Sequence, residues 1–159
     1  MRQKTLSNWL KFVVIAVALC GLAADFLIIP TLGQSWSAGD PHLEKMFWPW
    51  LIFAWVFSVP CYAALVYGWK IAVNIGRDRS FSMQNADYMK KIAYLAGGDT
   101  IFFFVTETVF LFLNLSHPGV FLFSFLAVFI GAAITVAAAV LSHLILKAAR
   151  LQDENDLTI

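Results

Sequence analysis

VFLFSFLAVFIGAAITVAAAVLSHLIL, residues 120–146, runs its whole length without one Asp, Glu, Lys or Arg. Coiled as a helix at ~1.5 Å per residue, it exceeds the ~30 Å thickness of a bilayer's hydrocarbon core. Three runs of similar length precede it, at about residues 9–29, 47–69 and 92–115. The stretches between them are short. These features predict an all-α fold, an antiparallel four-helix bundle integral to a membrane. One membrane domain then takes up residues 1–159, with a hairpin at 70–91 and a tail at 147–159.

The basic residues orient the bundle. Of eleven Lys and Arg, all but Lys45 fall on one side: Arg2, Lys4 and Lys11 at the start, Lys70, Arg77, Arg79, Lys90 and Lys91 in the middle, Lys147 and Arg150 at the end. Basic residues stay cytoplasmic. Both termini and the 70–91 hairpin are therefore expected inside a bacterial cytoplasmic membrane, with lipid as the first partner.

Composition narrows the function. Charged residues make up 13% of the chain, against about 25% in soluble domains. Loop cations beside a bilayer are explained by topology, so direct nucleic-acid binding is not expected. Cys20 and Cys61 lie inside apolar runs, without the spacing of a redox pair or a metal site, and read as packing residues. No nucleophile elbow, phosphate-binding glycine loop or metal-ligand cluster occurs. The expectation is no enzyme, no cofactor and no metal. The first run has basic residues and a small-residue cluster like a leader peptide, but its apolar character resumes through Ile29 and favours a spanning helix.

Along the chain, Pro30 is expected to close the first helix, and residues 34–46 to form the longer outer loop, edged by Trp36, Trp48 and Trp50. Pro49 suits a first turn, and Pro60 predicts a mid-span kink. Gly76 reads as a helix stop, Ser80 or Ser82 as the next N-cap.

Asp25, Asp99, Glu107 and His143 lie within the spans. A charge at mid-bilayer costs on the order of 3 kcal/mol, so such groups turn inward and take partners. On a helical wheel Asp99, Thr106, Asn114 and Glu107 fall within about 100° of arc, one polar stripe along the third span. By depth, Asp25 can meet Glu107, and Asp99 can meet His143, although a lone His near a helix end more often packs or sits at the interface. The stripe reads either as hydrogen bonding between helices or as a ligand, proton or cation site. Gly131, Thr135, Ala139 form a small-residue ridge, for packing within the monomer or for a homodimer.

The hairpin Ile75-Gly76-Arg77-Asp78-Arg79-Ser80-Phe81-Ser82-Met83-Gln84-Asn85 and the ending Glu154-Asn155-Asp156-Leu157-Thr158-Ile159 give the chain its resemblance to a family. It resembles bacterial small four-span membrane proteins grouped as a domain of unknown function, often encoded beside a Cro/C1-type helix-turn-helix regulator. That resemblance implies no catalytic residues. It implies a regulatory partnership at the inner face, for which Arg77, Arg79, Phe81, Asn85, Glu154, Asn155, Asp156, Leu157 and Ile159 are the candidate contacts. The expected role is a sensor or anchor for such a regulator. The alternatives are a small proton- or cation-coupled transporter using the intramembrane carboxylates, and a structural subunit of a larger complex.

Overall fold

The computed structural model describes residues 3–39 and 41–156. Its elements are α1 (Gln3–Ala23), a π-helical turn (Ala24–Ile28), α2 (Ile29–Ser37), α3 (Pro41–Gly76), α4 (Met83–Phe112) and α5 (Pro118–Asp156). The first three follow without a break, so the molecule consists of four long apolar rods, each able to cross a membrane. No strand occurs among the described residues.

The rods pack in chain order. α1 and α2 lie against α3, α3 against α4, and α4 against α5; among the described residues α1 touches neither α4 nor α5. Short connections make neighbours antiparallel and bring the start of α1, the α3–α4 turn and the C-terminal part of α5 to one end. That end carries the basic residues.

Each seam is built differently. Along the first, Ser7, Val14 and Gly21 recur every seven residues, the repeat of a shallow left-handed crossing. Small groups face them. The Ser7 hydroxyl donates to the Ala72 carbonyl at 2.6 Å, and a Cβ on Gly76 would sit 2.8 Å from that hydroxyl oxygen. Backbones thus approach closely where apolar burial gives no drive inside lipid. The second seam is aromatic. Trp50, Phe53 and Phe57 meet Phe102, Phe103 and Phe110 with ring centroids 5.3 to 5.8 Å apart, each pair contributing about 0.5–1.5 kcal/mol beyond area burial. In the third, Gly97 lies against Thr135 and Gly131 against Thr100, while the buried Ser142 hydroxyl donates to the Ala86 carbonyl at 2.7 Å.

Most large apolar side chains point outward, Phe129 at 74% exposure among them. Such a surface has lipid as its solvent.

Several boundaries differ from the sequence reading. The helix continues past Pro30 to Ser37 because the π turn accommodates the proline. The Ile29 N–H bonds the Ala24 carbonyl, five residues back. Pro30 adds no N–H, and the Asp25 carbonyl this leaves over takes the Trp55 indole N–H at 3.1 Å. The expected outer loop is mostly helix. Its break is a tight turn at Ala38–Gly39, where Gly39 has φ +92° and only glycine is at ease. α3 begins at Pro41, so Pro49 lies inside the helix rather than in its first turn. α4 stops at Phe112, with Asn114 in the left-handed region at φ 56°.

The inner turn follows the sequence closely. α3 ends at Gly76, α4 starts after Ser82, and the Ser82 hydroxyl accepts from the Asn85 N–H at 3.2 Å. The positive φ falls on Asp78, at 57°.

Candidate functional site

Three buried carboxylates and two buried amides give this membrane domain its chemistry. Asp25 sits in the π turn of the first rod. Its carboxylate accepts the Ser58 hydroxyl and the Tyr62 hydroxyl, each at 2.8 Å. Trp55, Ser58 and Tyr62 are spaced i, i+3, i+7, so one face of α3 holds both the carboxylate and the carbonyl of the same residue. Gly21 makes room one turn away, since a Cβ there would lie 3.0 Å from the Tyr62 hydroxyl. π turns of this kind occur frequently at functional sites. Replacing Tyr62 by Phe removes one of the two carboxylate donors. The expected loss is about 1–2 kcal/mol of stability, read as a lower unfolding midpoint in detergent.

Asp99 is placed on the other side of α3. The Cys61 thiol lies 3.5 Å from its Oδ2, within hydrogen-bonding range for sulfur. Its Oδ1 is buried and has no partner, and the residue is 8% exposed. Beside it is a half-open groove of about 440 Å³ between α3, α4 and α5, walled by Phe57, Pro60, Ala64, Phe103, Gly131 and Ile134. Pro60 lines this groove and offers no N–H to the Val56 carbonyl one turn below. The groove is therefore mostly apolar, with the unpaired Asp99 oxygen at its side and no charged donor in its walls, a setting for a proton, a cation or a ligand bearing a hydrogen-bond donor.

Glu107 is enclosed, at 1% exposure. It accepts the Ser116 hydroxyl at 3.3 Å, from the turn between α4 and α5.

The expected partnerships are therefore replaced. Asp25 does not meet Glu107: the first lies on the α1–α3 seam, the second under the α4–α5 turn, and serial packing keeps them apart. Asp99 does not bond His143, which is exposed on α5; the neighbouring Ser142 faces α4 instead. A strict four-residue ridge drifts by about 40° per step, so the inward series from Gly131 and Thr135 continues through Ala138, Ser142 and Ala149. Ala139 is exposed. Asn114 leaves the stripe because the helix ends before it. Thr106 is half-buried on α4, between Asp99 and Glu107 in sequence.

At the basic end, Asn85 is the central group. It is 0% exposed. Its amide donates to the carbonyls of Arg79 and Ser80, both at 3.0 Å, and its oxygen accepts the Asn74 amide at 2.8 Å. Asn74 also donates to Gln84 at 3.2 Å, and Ser80 donates to Gln3 at 3.1 Å. Asn85 thus holds the turn together and is not available to a partner, a correction to its role as a contact. Arg77, Arg79 and Phe81 are exposed, Phe81 at 60%. Glu154 and Asn155 are exposed in the last turn of α5. The side chain of Asp156, together with Leu157 and Ile159, lies outside the described residues.

Sequence reasoning missed Ser58, Cys61 and Tyr62, which face the carboxylates. Their spacing relative to Trp55 was readable, but nothing local tied it to Asp25.

Four membrane-crossing rods, polar groups held between them and an outer surface made for lipid define a multi-pass α-helical membrane protein. Residues 31–159 match the model described as "Protein of unknown function (DUF2975)", and the chain belongs to that family. It is also similar to a protein described as "Uncharacterized membrane protein YoaS" from Bacillus subtilis (strain 168), with 26% identity over 153 residues, covering 95% of this chain and 96% of the relative. No solved structure matches the chain.

Proposed function

We propose that this protein is a non-enzymatic sensor or anchor in the bacterial cytoplasmic membrane that presents a fixed basic loop to a cytoplasmic helix-turn-helix regulator. The charge distribution supports a cytoplasmic placement of both termini and of the loop. One observation carries the reading. A fully buried Asn85 pins the carbonyls of the turn, and the exposed Arg77, Arg79 and Phe81 stand on it. A loop that only joined two helices would need no such buried network. Preorganised side chains lower the ordering cost of docking. The acidic end of α5, with Asp153 and Glu154, adds charge of the opposite sign at the same end.

The test is co-purification of a Cro/C1-type regulator encoded beside this chain. Arg77→Ala/Arg79→Ala/Phe81→Ala is expected to reduce capture at least tenfold, and truncation before Glu154 to weaken it. No capture by the parent chain, or equal capture by the triple variant, would overturn the reading.

The unpaired Asp99 oxygen supports a second reading, proton or cation coupling through the groove. In proteoliposomes that reading expects flux that Asp99→Asn abolishes and Glu107→Gln leaves, since Glu107 is enclosed by Ser116. No flux, or flux indifferent to Asp99→Asn, would remove it.

A further inference from the structure

We propose that Lys70 and Lys91, which share the Tyr67–Tyr88 ring pair, hold the phosphate of an anionic phospholipid at the basic end of the α3–α4 seam. The Tyr67 and Tyr88 rings lie 5.7 Å apart, one from each helix. The Lys70 ammonium is 5.3 Å from the first ring centre and 5.6 Å from the second. The Lys91 ammonium is 5.6 and 6.0 Å from the same two centres. Two like charges therefore converge on one aromatic pair, a placement that an anion between them relieves.

Among the described residues, Lys70 has no carboxylate within ion-pair distance, while Lys91 pairs with Asp87 at 2.8 Å. That pair is about half exposed on both sides, so it is weak and exchangeable. The Tyr88 hydroxyl accepts from the Gln84 amide at 3.1 Å, which leaves its own proton free to be donated. Two ammonium groups and one hydroxyl form the donor set of a phosphate site.

The surface next to this site selects a lipid over a free anion. On α3 the exposed residues Val66, Val59 and Ile52 step away from Lys70 on its own face, at spacings of four, seven and seven. On α4 the exposed Tyr94, Gly98, Ile101 and Val105 step away from Lys91 at alternating three and four. Each lysine thus heads an apolar stripe directed toward mid-membrane, along which an acyl chain can lie. Basic sites between spanning helices commonly hold anionic headgroups. Lys90 is the internal control, because it sits over Tyr94 alone, at 5.7 Å.

The experiment is native mass spectrometry of the full chain in mild detergent, titrated with dioleoyl phosphatidylglycerol, with dioleoyl phosphatidylcholine, or with inorganic phosphate. The expected result is a phosphatidylglycerol adduct at least tenfold tighter than the phosphatidylcholine one and undisturbed by millimolar phosphate. Lys70→Gln/Lys91→Gln is expected to weaken it at least tenfold, Tyr88→Phe severalfold, and Lys90→Gln less than twofold. Equal binding by the double lysine variant, equal affinity for the two lipids, or displacement by inorganic phosphate would each overturn the proposal. An unchanged melting temperature of the free variants shows that the loss is one of binding.

Discussion

Asn85→Leu is expected to open the basic turn about 100-fold more often than in the parent chain. Leucine keeps the branched heavy-atom frame and removes every side-chain hydrogen bond. The carbonyls of Arg79 and Ser80 then lose their side-chain donor, and the Asn74 amide keeps only Gln84, around a residue with 0% exposure. Unpaired buried polar groups cost about 1–3 kcal/mol each. Even with relaxation, a net loss on the order of 3 kcal/mol follows, which corresponds to about two orders of magnitude in population. Trypsin reads this directly in nanodiscs, because Arg77 and Arg79 lie within the pinned turn. When opening is fast relative to cleavage, the cut rate follows the open population. A parent-like rate would show that the amide network does not hold the turn.

Gly131→Ala is expected to be the most damaging single methyl group in the membrane region. Its Cβ would collide with the Thr100 side chain on α4, whose hydroxyl is already bound to the Ala96 carbonyl at 2.7 Å. Overpacking of a close seam costs about 1–3 kcal/mol. Thr100→Ala removes the colliding atoms, and the double variant is expected to recover at least about 1 kcal/mol relative to additivity, as contacting residues do in a double-mutant cycle. Unfolding in mixed micelles measures all four corners. Strict additivity would mean that α4 and α5 do not meet at these residues.

The two experiments probe different parts of the protein. The turn variant tests a polar network that fixes a surface, and the seam variant tests steric fit between helices. Both follow from close approach: in lipid, where apolar contact with a neighbouring helix is no better than contact with an acyl chain, small residues and hydrogen bonds decide which helices meet.

Much of this was legible in the chain. Four apolar runs define the rods, and the basic residues mark one end. The inner turn was legible up to the choice between Ser80 and Ser82 as the N-cap, because Gly76 and these serines are local signals that act through their own backbone neighbours. The small-residue ridge of the fourth span was legible in part: Gly131 and Thr135 do face α4. Its continuation was not, since a four-residue step leaves the helix face while the packed face alternates fours and threes. The end of the first helix was misplaced for a related reason. Pro30 is a local breaker, but a π turn and an indole from another helix satisfy the backbone it disrupts.

The carboxylates show the division most clearly. Sequence alone determined that Asp25, Asp99 and Glu107 lie within apolar spans and that bare exposure to lipid is too costly for them. It also determined the rods, their alternation and the basic end, because hydrophobic length and charge act without knowledge of any neighbour. Only the tertiary structure decided that Asp25 takes Ser58 and Tyr62, that Glu107 takes Ser116, and that one oxygen of Asp99 takes no partner at all. Rotation of each rod about its axis is set by how the surfaces fit, and depth along the chain carries no information about that angle.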